Sequence, residues 1–142
     1  MLNENFKVTG EVTIQKNGKV IREIPNTIVT AGKNNIASLI TDAGSKMTHM
    51  AVGTGTTSVA AGNTALVTET DRNALSVSGG APSANTIVYT AVWAAGDGTG
   101  ALTEAGLFSA SSSGTMMART VFSAVNKAAG DILTITWTVT IS

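Results

Sequence analysis

The segment Gly53-Thr54-Gly55 is the first part of this sequence whose residue types could bind a ligand. Glycine-rich loops hold phosphate groups through their backbone N–H groups, but a phosphate loop also needs a third glycine or a lysine in register and a helix behind it. Residues 56–58 are Thr-Thr-Ser instead, and no lysine follows before Lys127. The sequence therefore predicts an ordinary loop at this position.

His49 is the only histidine of the chain, and the chain contains no cysteine. A Ser-His-Asp triad or a zinc site needs several such groups in register. The absence of cysteine excludes disulfides, thiolate metal sites and a cysteine nucleophile. Because His49 lies on the polar side of a short predicted strand, we expect it to be at the surface or hydrogen-bonded. We predict no metal site and no cofactor.

Acidic residues that could do acid–base chemistry are scattered along the chain, at Asp42, Glu69, Asp71, Asp97, Glu104 and Asp131. Two carboxylates about 5–10 Å apart can hydrolyse a glycosidic bond, but nothing in the sequence brings two of these together. Asp97 and Asp131 lie beside glycines in predicted turns, where aspartate bonds to the backbone. Glu104 is either exposed or paired with Arg119 on the following strand. The sequence thus predicts no catalytic residue, and we expect the chain not to be an enzyme.

The length and composition fit one domain with a core of its own. The chain has 142 residues, of which 43% are hydrophobic, so its composition excludes intrinsic disorder. Nine basic and nine acidic residues cancel, whereas a nucleic-acid-binding protein needs a basic face. The first residues carry no signal-peptide pattern, and no apolar run is long enough to cross a membrane. We therefore expect a protein made in the cytoplasm that contacts neither nucleic acid nor a membrane.

The low charge of the chain is its most informative compositional feature. Charged residues make up 13% of the sequence, against about 25% in a typical soluble domain. Threonine, serine, alanine and glycine take their place. Because the centres of protein interfaces are depleted in charge, this composition favours a surface that lies against other protein. The alternative interpretation is that the low charge reflects a general compositional bias of the genome.

The first 30 residues predict a β-hairpin. Apolar and polar residues alternate from Phe6 to Ile14, and Asn17-Gly18 is the strongest short turn signal for a hairpin. The returning run contains Pro25, which predicts either an edge strand or a broken strand. We interpret residues 1–30 as a hairpin arm used in assembly. The predicted interface of this arm consists of Phe6, Val8, Val12, Ile14, Ile24 and Pro25.

One helix is predicted, near residues 32–43. Ile36, Leu39 and Ile40 are spaced i, i+3, i+4, which gives one apolar helical stripe. A single helical turn is also predicted over 64–70. No helix is predicted between successive strands of the remaining chain, which excludes a parallel sheet.

The remaining chain predicts short strands separated by glycine-rich turns, including one strand over 72–77. In the last strand, apolar residues from Leu133 to Ile141 face one way and four threonines face the other. Trp93 and Trp137 lie in the two strongest strands and are expected in the core. The predicted fold class is therefore all-β: a jelly-roll-like antiparallel β-sandwich, formed by one domain over residues 1–142 with one short helix.

Several segments of the chain form a distinctive set: Val8–Val12, Val29–Gly32, Met50–Thr57, Ala60–Leu66 with Glu69 and Arg72, Leu102–Phe108, Met117–Phe122 and Gly130–Trp137. Together these segments resemble small structural proteins of tailed double-stranded DNA bacteriophages, and most of all the capsid cement, or decoration, proteins of short-tailed phages.

The resemblance implies a jelly-roll protein that binds the outside of an icosahedral shell and stabilises it against the pressure of packed DNA. The implied partners are the major capsid protein and other copies of the chain, with a dimer favoured over a trimer. The implied location is the outer surface of the virion, after synthesis in the cytoplasm of a bacterial host. Relatives with similar sequence in tails leave a second hypothesis open: a tail, fibre or baseplate module that takes part in host adsorption.

Overall fold

The computed structural model describes residues 5–142, which form ten β-strands and one α-helix. In chain order these are β1 (Val8–Lys16), β2 (Lys19–Pro25), β3 (Thr27–Ile28), α1 (Thr30–Ile40), β4 (His49–Gly53), β5 (Glu69–Ala74), β6 (Ala81–Ser83), β7 (Thr86–Trp93), β8 (Gly100–Phe108), β9 (Met116–Lys127) and β10 (Leu133–Ile141). No helix in this part of the chain is long and apolar enough to cross a membrane.

The strands form two five-stranded sheets. Sheet 1 has the order β2-β1-β10-β7-β6, and sheet 2 has the order β3-β9-β8-β4-β5. Every described strand pair is antiparallel. The predicted all-β sandwich with a single helix is confirmed, while the finer jelly-roll topology stays a prediction.

The core lies between the two sheets, as the alternating pattern predicts. On β10 the apolar residues from Leu133 to Val139 are buried and the threonines between them are only half-buried. Trp137 pairs with Val12 on one side and Tyr89 on the other, so it lies at the centre of sheet 1. Trp93 and Trp137 are both fully buried, which confirms their predicted place in the core.

Helix α1 begins and ends two to three residues earlier than predicted, and only part of the predicted apolar stripe faces the core, where Ile36 packs while partly buried. Its buried residues are Gly32 and Asn35, and Ile40 is 84% exposed. Gly32 lies so close to β9 that a Cβ atom would collide with the backbone of Met117. Asn35 exchanges two hydrogen bonds with the backbone of Ser45. The helix face that packs against the sheet thus begins one turn before Ile36, and it includes the small residue Gly32 and the polar residue Asn35.

The segment between β4 and β5 contains no helical turn, so the turn predicted over 64–70 is wrong. Residues 54–68 form an irregular loop, which we call the β4–β5 loop, and β5 begins at Glu69, three residues before the predicted strand. Leu66 of this loop is buried in a small second core on the outer face of sheet 2, with Val29, Ala51, Phe108 and Met116. The loop therefore covers sheet 2 from outside.

Candidate interaction surfaces

A buried ion pair holds the β4–β5 loop against sheet 2. The side chains of Glu104 on β8 and Arg119 on β9 are both fully buried, and Arg119 Nη2 lies 2.8 Å from Glu104 Oε2. Arg119 also donates to Asn63 Oδ1 at 3.1 Å and to the carbonyl of Thr57 at 3.0 Å. Of the two interpretations of Glu104 that the sequence left open, the buried pair with Arg119 is the one observed.

The carboxylate of Glu104 accepts further hydrogen bonds from the loop backbone. The N–H groups of Gly55, Val67 and Thr68 lie 3.0, 3.0 and 2.7 Å from its oxygens. Burial by itself raises the pKa of Glu104, but the bonds from Thr68, Val67, Arg119 and Gly55 together outweigh it and hold the pKa below its ordinary value. The charged form of Glu104 is therefore the one that fits this site.

The glycines of the predicted loop serve this network. A Cβ atom on Gly55 would lie 2.5 Å from Glu104 Oε1, and one on Gly53 would collide with the carbonyl of Thr68. The N–H of Gly55, which a phosphate loop would offer to a ligand, already donates to Glu104. The role of Gly53-Thr54-Gly55 is thus the close approach of a loop to a buried carboxylate.

Three of the other titratable candidates, His49, Glu69 and Asp131, have local hydrogen-bonding or ion-pair partners. His49 Nδ1 lies 2.8 Å from the hydroxyl oxygen of Thr48 at the start of β4. Glu69 and Arg72 form an ion pair of 2.7 Å at the edge of sheet 2. Asp131 accepts a hydrogen bond of 2.9 Å from Asn17. Among residues 5–142, no cluster of three or more histidine, aspartate or glutamate side chains could hold a metal ion.

The predicted arm is part of the sandwich. The Asn17-Gly18 turn forms as predicted, with φ angles of 53° and 81°, but β1 lies between β2 and β10 and pairs with β10 along its whole length and with β2 from Glu11 to Lys16. The strands of residues 8–28 therefore complete the two sheets, and the use of this hairpin in assembly stays a prediction. Residues 1–4 lie outside the described part of the chain.

The six predicted interface residues divide into two groups. Val12 and Ile14 are fully buried in the core, and Val8 and Ile24 pack against it while partly buried. Val12 and Ile14 are therefore wrong as interface residues, since the alternating pattern points them inward. Phe6, at 70% exposure, and Pro25 are the two with exposed side chains.

The outward side of sheet 1 is a surface of which the sequence predicts the polar sides of β1 and β10 as separate strands. The register places the outward residues of β1, β10 and β7 side by side, and we call these twelve residues the threonine face. All twelve are exposed or half-buried. They are Thr9, Glu11, Thr13 and Gln15 on β1, Thr134, Thr136, Thr138 and Thr140 on β10, and Thr86, Val88, Thr90 and Val92 on β7.

The threonine face carries almost no charge. Eight of its twelve residues are threonine, and Glu11 is the one residue with a charge. In two rows, three threonines from three strands stand next to one another, as in Thr13, Thr136 and Thr90. Because charge is depleted at the centres of protein interfaces, this face suits contact with another protein surface.

The edges of sheet 1 are less suited to binding than its face. Both prolines of the chain lie on its two edge strands, Pro25 on β2 and Pro82 on β6. Proline has no N–H to donate to a neighbouring strand and is one of the devices that prevent edge-to-edge pairing. Contact through the face is thus favoured over extension of the sheet.

The aromatic residues offer little surface for stacking on a sugar. Five of the six are buried: Tyr89, Trp93, Phe108, Phe122 and Trp137. Phe6 is the exposed one. A glycan-binding platform of exposed aromatic rings is therefore not formed by these residues.

Comparison with protein-family models, with curated proteins and with solved structures finds no match to this chain. What the chain does must therefore be argued from its own residues and surfaces.

Proposed function

We propose that the chain is a structural virion protein, a cement protein that binds the outer surface of an icosahedral phage capsid. The observation that carries the proposal is the threonine face, an almost uncharged sheet surface of eight threonines bordered by proline-bearing edge strands. The resemblance of several segments to phage cement proteins supplies the identity of the partner. The proposed partners are the major capsid protein and other copies of the chain.

The proposed mechanism is mass action. A protein that binds the assembled, expanded shell but not its separated subunits stabilises the shell by its binding free energy. The threonine face spans about 10 by 20 Å between Cα positions, given standard strand spacings. A standard interface buries about 800 Å² on each partner. One face therefore supplies part of such an interface, and many copies repeated by symmetry make modest contacts cumulative.

The second hypothesis, a tail, fibre or baseplate module that adsorbs to the host, has less support. Adsorption to a host glycan favours exposed aromatic rings, whereas both tryptophans are fully buried. Copy number in purified virions separates the two hypotheses. A cement protein is present in hundreds of copies per particle and a tail module in a handful, so quantitative gel or mass-spectrometric stoichiometry decides between them.

The response to salt tests the same proposal in another way. Ion pairs at a surface are screened within about 10 Å at 0.1 M salt, whereas burial of apolar area is not weakened by salt. Because the threonine face holds one charged residue among twelve, we expect virions to keep the protein from about 0.1 M to 1 M salt. Release of the protein over that range would contradict binding by this face.

A further inference from the structure

A groove of about 520 Å³ opens beside the first residues of β1, between residues 6–9 and helix α1. Its volume lies within the roughly 300–1,000 Å³ of ligand-binding clefts. It is a separate feature from the buried network of Glu104, and it shares Thr9 alone with the threonine face.

The helix contributes one continuous stripe to this groove. Lys33, Ile36, Ala37 and Ile40 are spaced i, i+3, i+4, i+7, so they lie along a single helical face. Phe6 stands on the opposite wall and is largely exposed, as is Ile40. Exposed apolar side chains that cluster around a groove mark a binding surface, whereas single exposed apolar residues are normal on any protein surface.

The charged side chains of the groove have one sign. Lys7 and Lys33 are the two charged residues that line it within the described chain. An adjoining cavity of about 220 Å³ shares the lining residues Val8 and Ile36 with the groove. Lys46 is the charged residue among those that line this cavity. A second copy docked across a twofold axis would bring equivalent lysines together, and like charges across an interface oppose binding. An occupant with acidic side chains is favoured instead.

We propose that this groove binds a short amphipathic segment of another protein, whose apolar side chains enter the groove and whose aspartate or glutamate residues face Lys7 and Lys33. The stripe from Lys33 to Ile40 extends for about 10 Å, or two helical turns, so an occupant of about two turns matches it. The inference goes beyond the proposed function, because it concerns different residues and holds whether or not the threonine face binds a capsid.

The test uses two synthetic helical peptides with leucines at i, i+3 and i+7, one flanked by glutamates and one by lysines. Fluorescence anisotropy measures their affinity, and NMR chemical shifts locate the contact. The acidic peptide should bind at least about fivefold more tightly, as expected for two exposed ion pairs, and should shift residues 6–9 and 33–40. In the Lys7→Glu, Lys33→Glu double variant the preference should reverse.

A matched pair of variants tests the apolar part of the contact. Ile40→Ser should weaken binding of the acidic peptide several-fold without lowering the melting temperature, since Ile40 is largely exposed. Ile132→Ser, at an isoleucine 48% exposed just before β10, should leave binding unchanged.

Three results would overturn the proposal. The first is the absence of chemical-shift changes in the groove with either peptide at millimolar concentration. The second is a dimer in sedimentation that Ile40→Ser abolishes, which would assign the groove to a second copy. The third is binding of the peptide only after residues 1–4 are removed, which would assign the groove to the chain itself.

Discussion

The backbone N–H of Gly55 donates a hydrogen bond of 3.0 Å to the carboxylate of Glu104, 49 residues further along the chain. The same carboxylate binds Arg119, so one buried charge joins the β4–β5 loop to two strands of sheet 2. The loop thereby covers the outer face of sheet 2, while the outer side chains of sheet 1 stay accessible. The two faces of the sandwich are therefore unlike, and the threonine face is the one suited to a partner.

Removal of the charge at Glu104 should strongly destabilise the protein. Glu104→Gln leaves the buried guanidinium of Arg119 without its counter-ion, and breaking a buried pair in this way costs about 3–5 kcal/mol. We expect the free energy of unfolding in urea to fall by that amount. Glu69→Gln is the matched control, because its pair with Arg72 is partly exposed and should contribute at most about 1 kcal/mol. Equal effects of the two variants would contradict the role of Glu104.

Acid should weaken the fold through the same carboxylate. The folded-state pKa of Glu104 lies below its ordinary value, so its stabilising effect is complete above the unfolded-state pKa of about 4.3 and is lost as the pH falls through the folded value. Hydrogen bonds from Asn17 and from the backbone of Ala128 likewise lower the pKa of Asp131. Urea unfolding between pH 7 and pH 3 should show stability falling below about pH 4.5. In Glu104→Gln this dependence should be shallower, and an unchanged slope would refute the assignment.

The approach of the loop to Glu104 requires a residue without a side chain at position 55. In Gly55→Ala the new Cβ would lie 2.5 Å from Glu104 Oε1 and 2.6 Å from Val67 Cβ, so we expect destabilisation by about 1–3 kcal/mol, as in other overpacked sites. Gly62→Ala is the control in the same loop, where no atom lies within 4 Å of the added methyl group. It should be neutral or stabilising by up to about 1 kcal/mol. Thermal denaturation of both variants checks the difference.

The core prediction concerns Trp137. Its side chain is fully buried between the cross-strand neighbours Val12 and Tyr89, so Trp137→Ala should lower the free energy of unfolding by about 3–5 kcal/mol. Val77→Ala, at an exposed apolar side chain, should have little effect. A Trp137→Ala variant that melts within a degree or two of the parent would mean that β10 faces the other way.

The strands could be predicted from the sequence because their signal is local. Alternation of apolar and threonine residues on β10 gives both the strand and its buried face, and Asn17-Gly18 gives the hairpin turn. Pro25 indicated an edge strand or a broken one, and β2 is an edge strand that ends at Pro25. These features depend on residues that are neighbours in the chain, so a period of two and a turn type are sufficient to recognise them.

The features that sequence reasoning missed depend on residues far apart in the chain. Of the predicted helical stripe, Ile36 packs against the core while Ile40 is largely exposed, because the close approach of Gly32 to β9 decides which side of the helix is buried. Nothing near residue 12 indicates that β10 will pair with it, so the place of the hairpin inside sheet 1 cannot be predicted from the sequence. The groove beside α1 cannot be predicted from the sequence either, since residues 6–9 and 33–40 meet only in the folded chain.

Part of the threonine face could be predicted from the sequence. The sequence shows four outward threonines on β10, and low charge favours a protein interface. The register of β1 and β7 against β10 then adds Thr9, Thr13, Thr86 and Thr90 to the same surface. Strand order sets which faces stand side by side, and strand order is not encoded in local alternation.

The measurement that tests the central claim most directly is heat-induced DNA release from phage particles assembled with and without the protein. We expect particles that lack it to release DNA at a lower temperature while adsorbing normally to host cells, and added wild-type protein to restore heat stability. Thr136→Lys, which places a charge at the centre of the threonine face, should fail to restore it, whereas Ser112→Lys, in the exposed turn between β8 and β9, should succeed. Unchanged heat stability together with lost adsorption would contradict the cement function and favour a tail or fibre module.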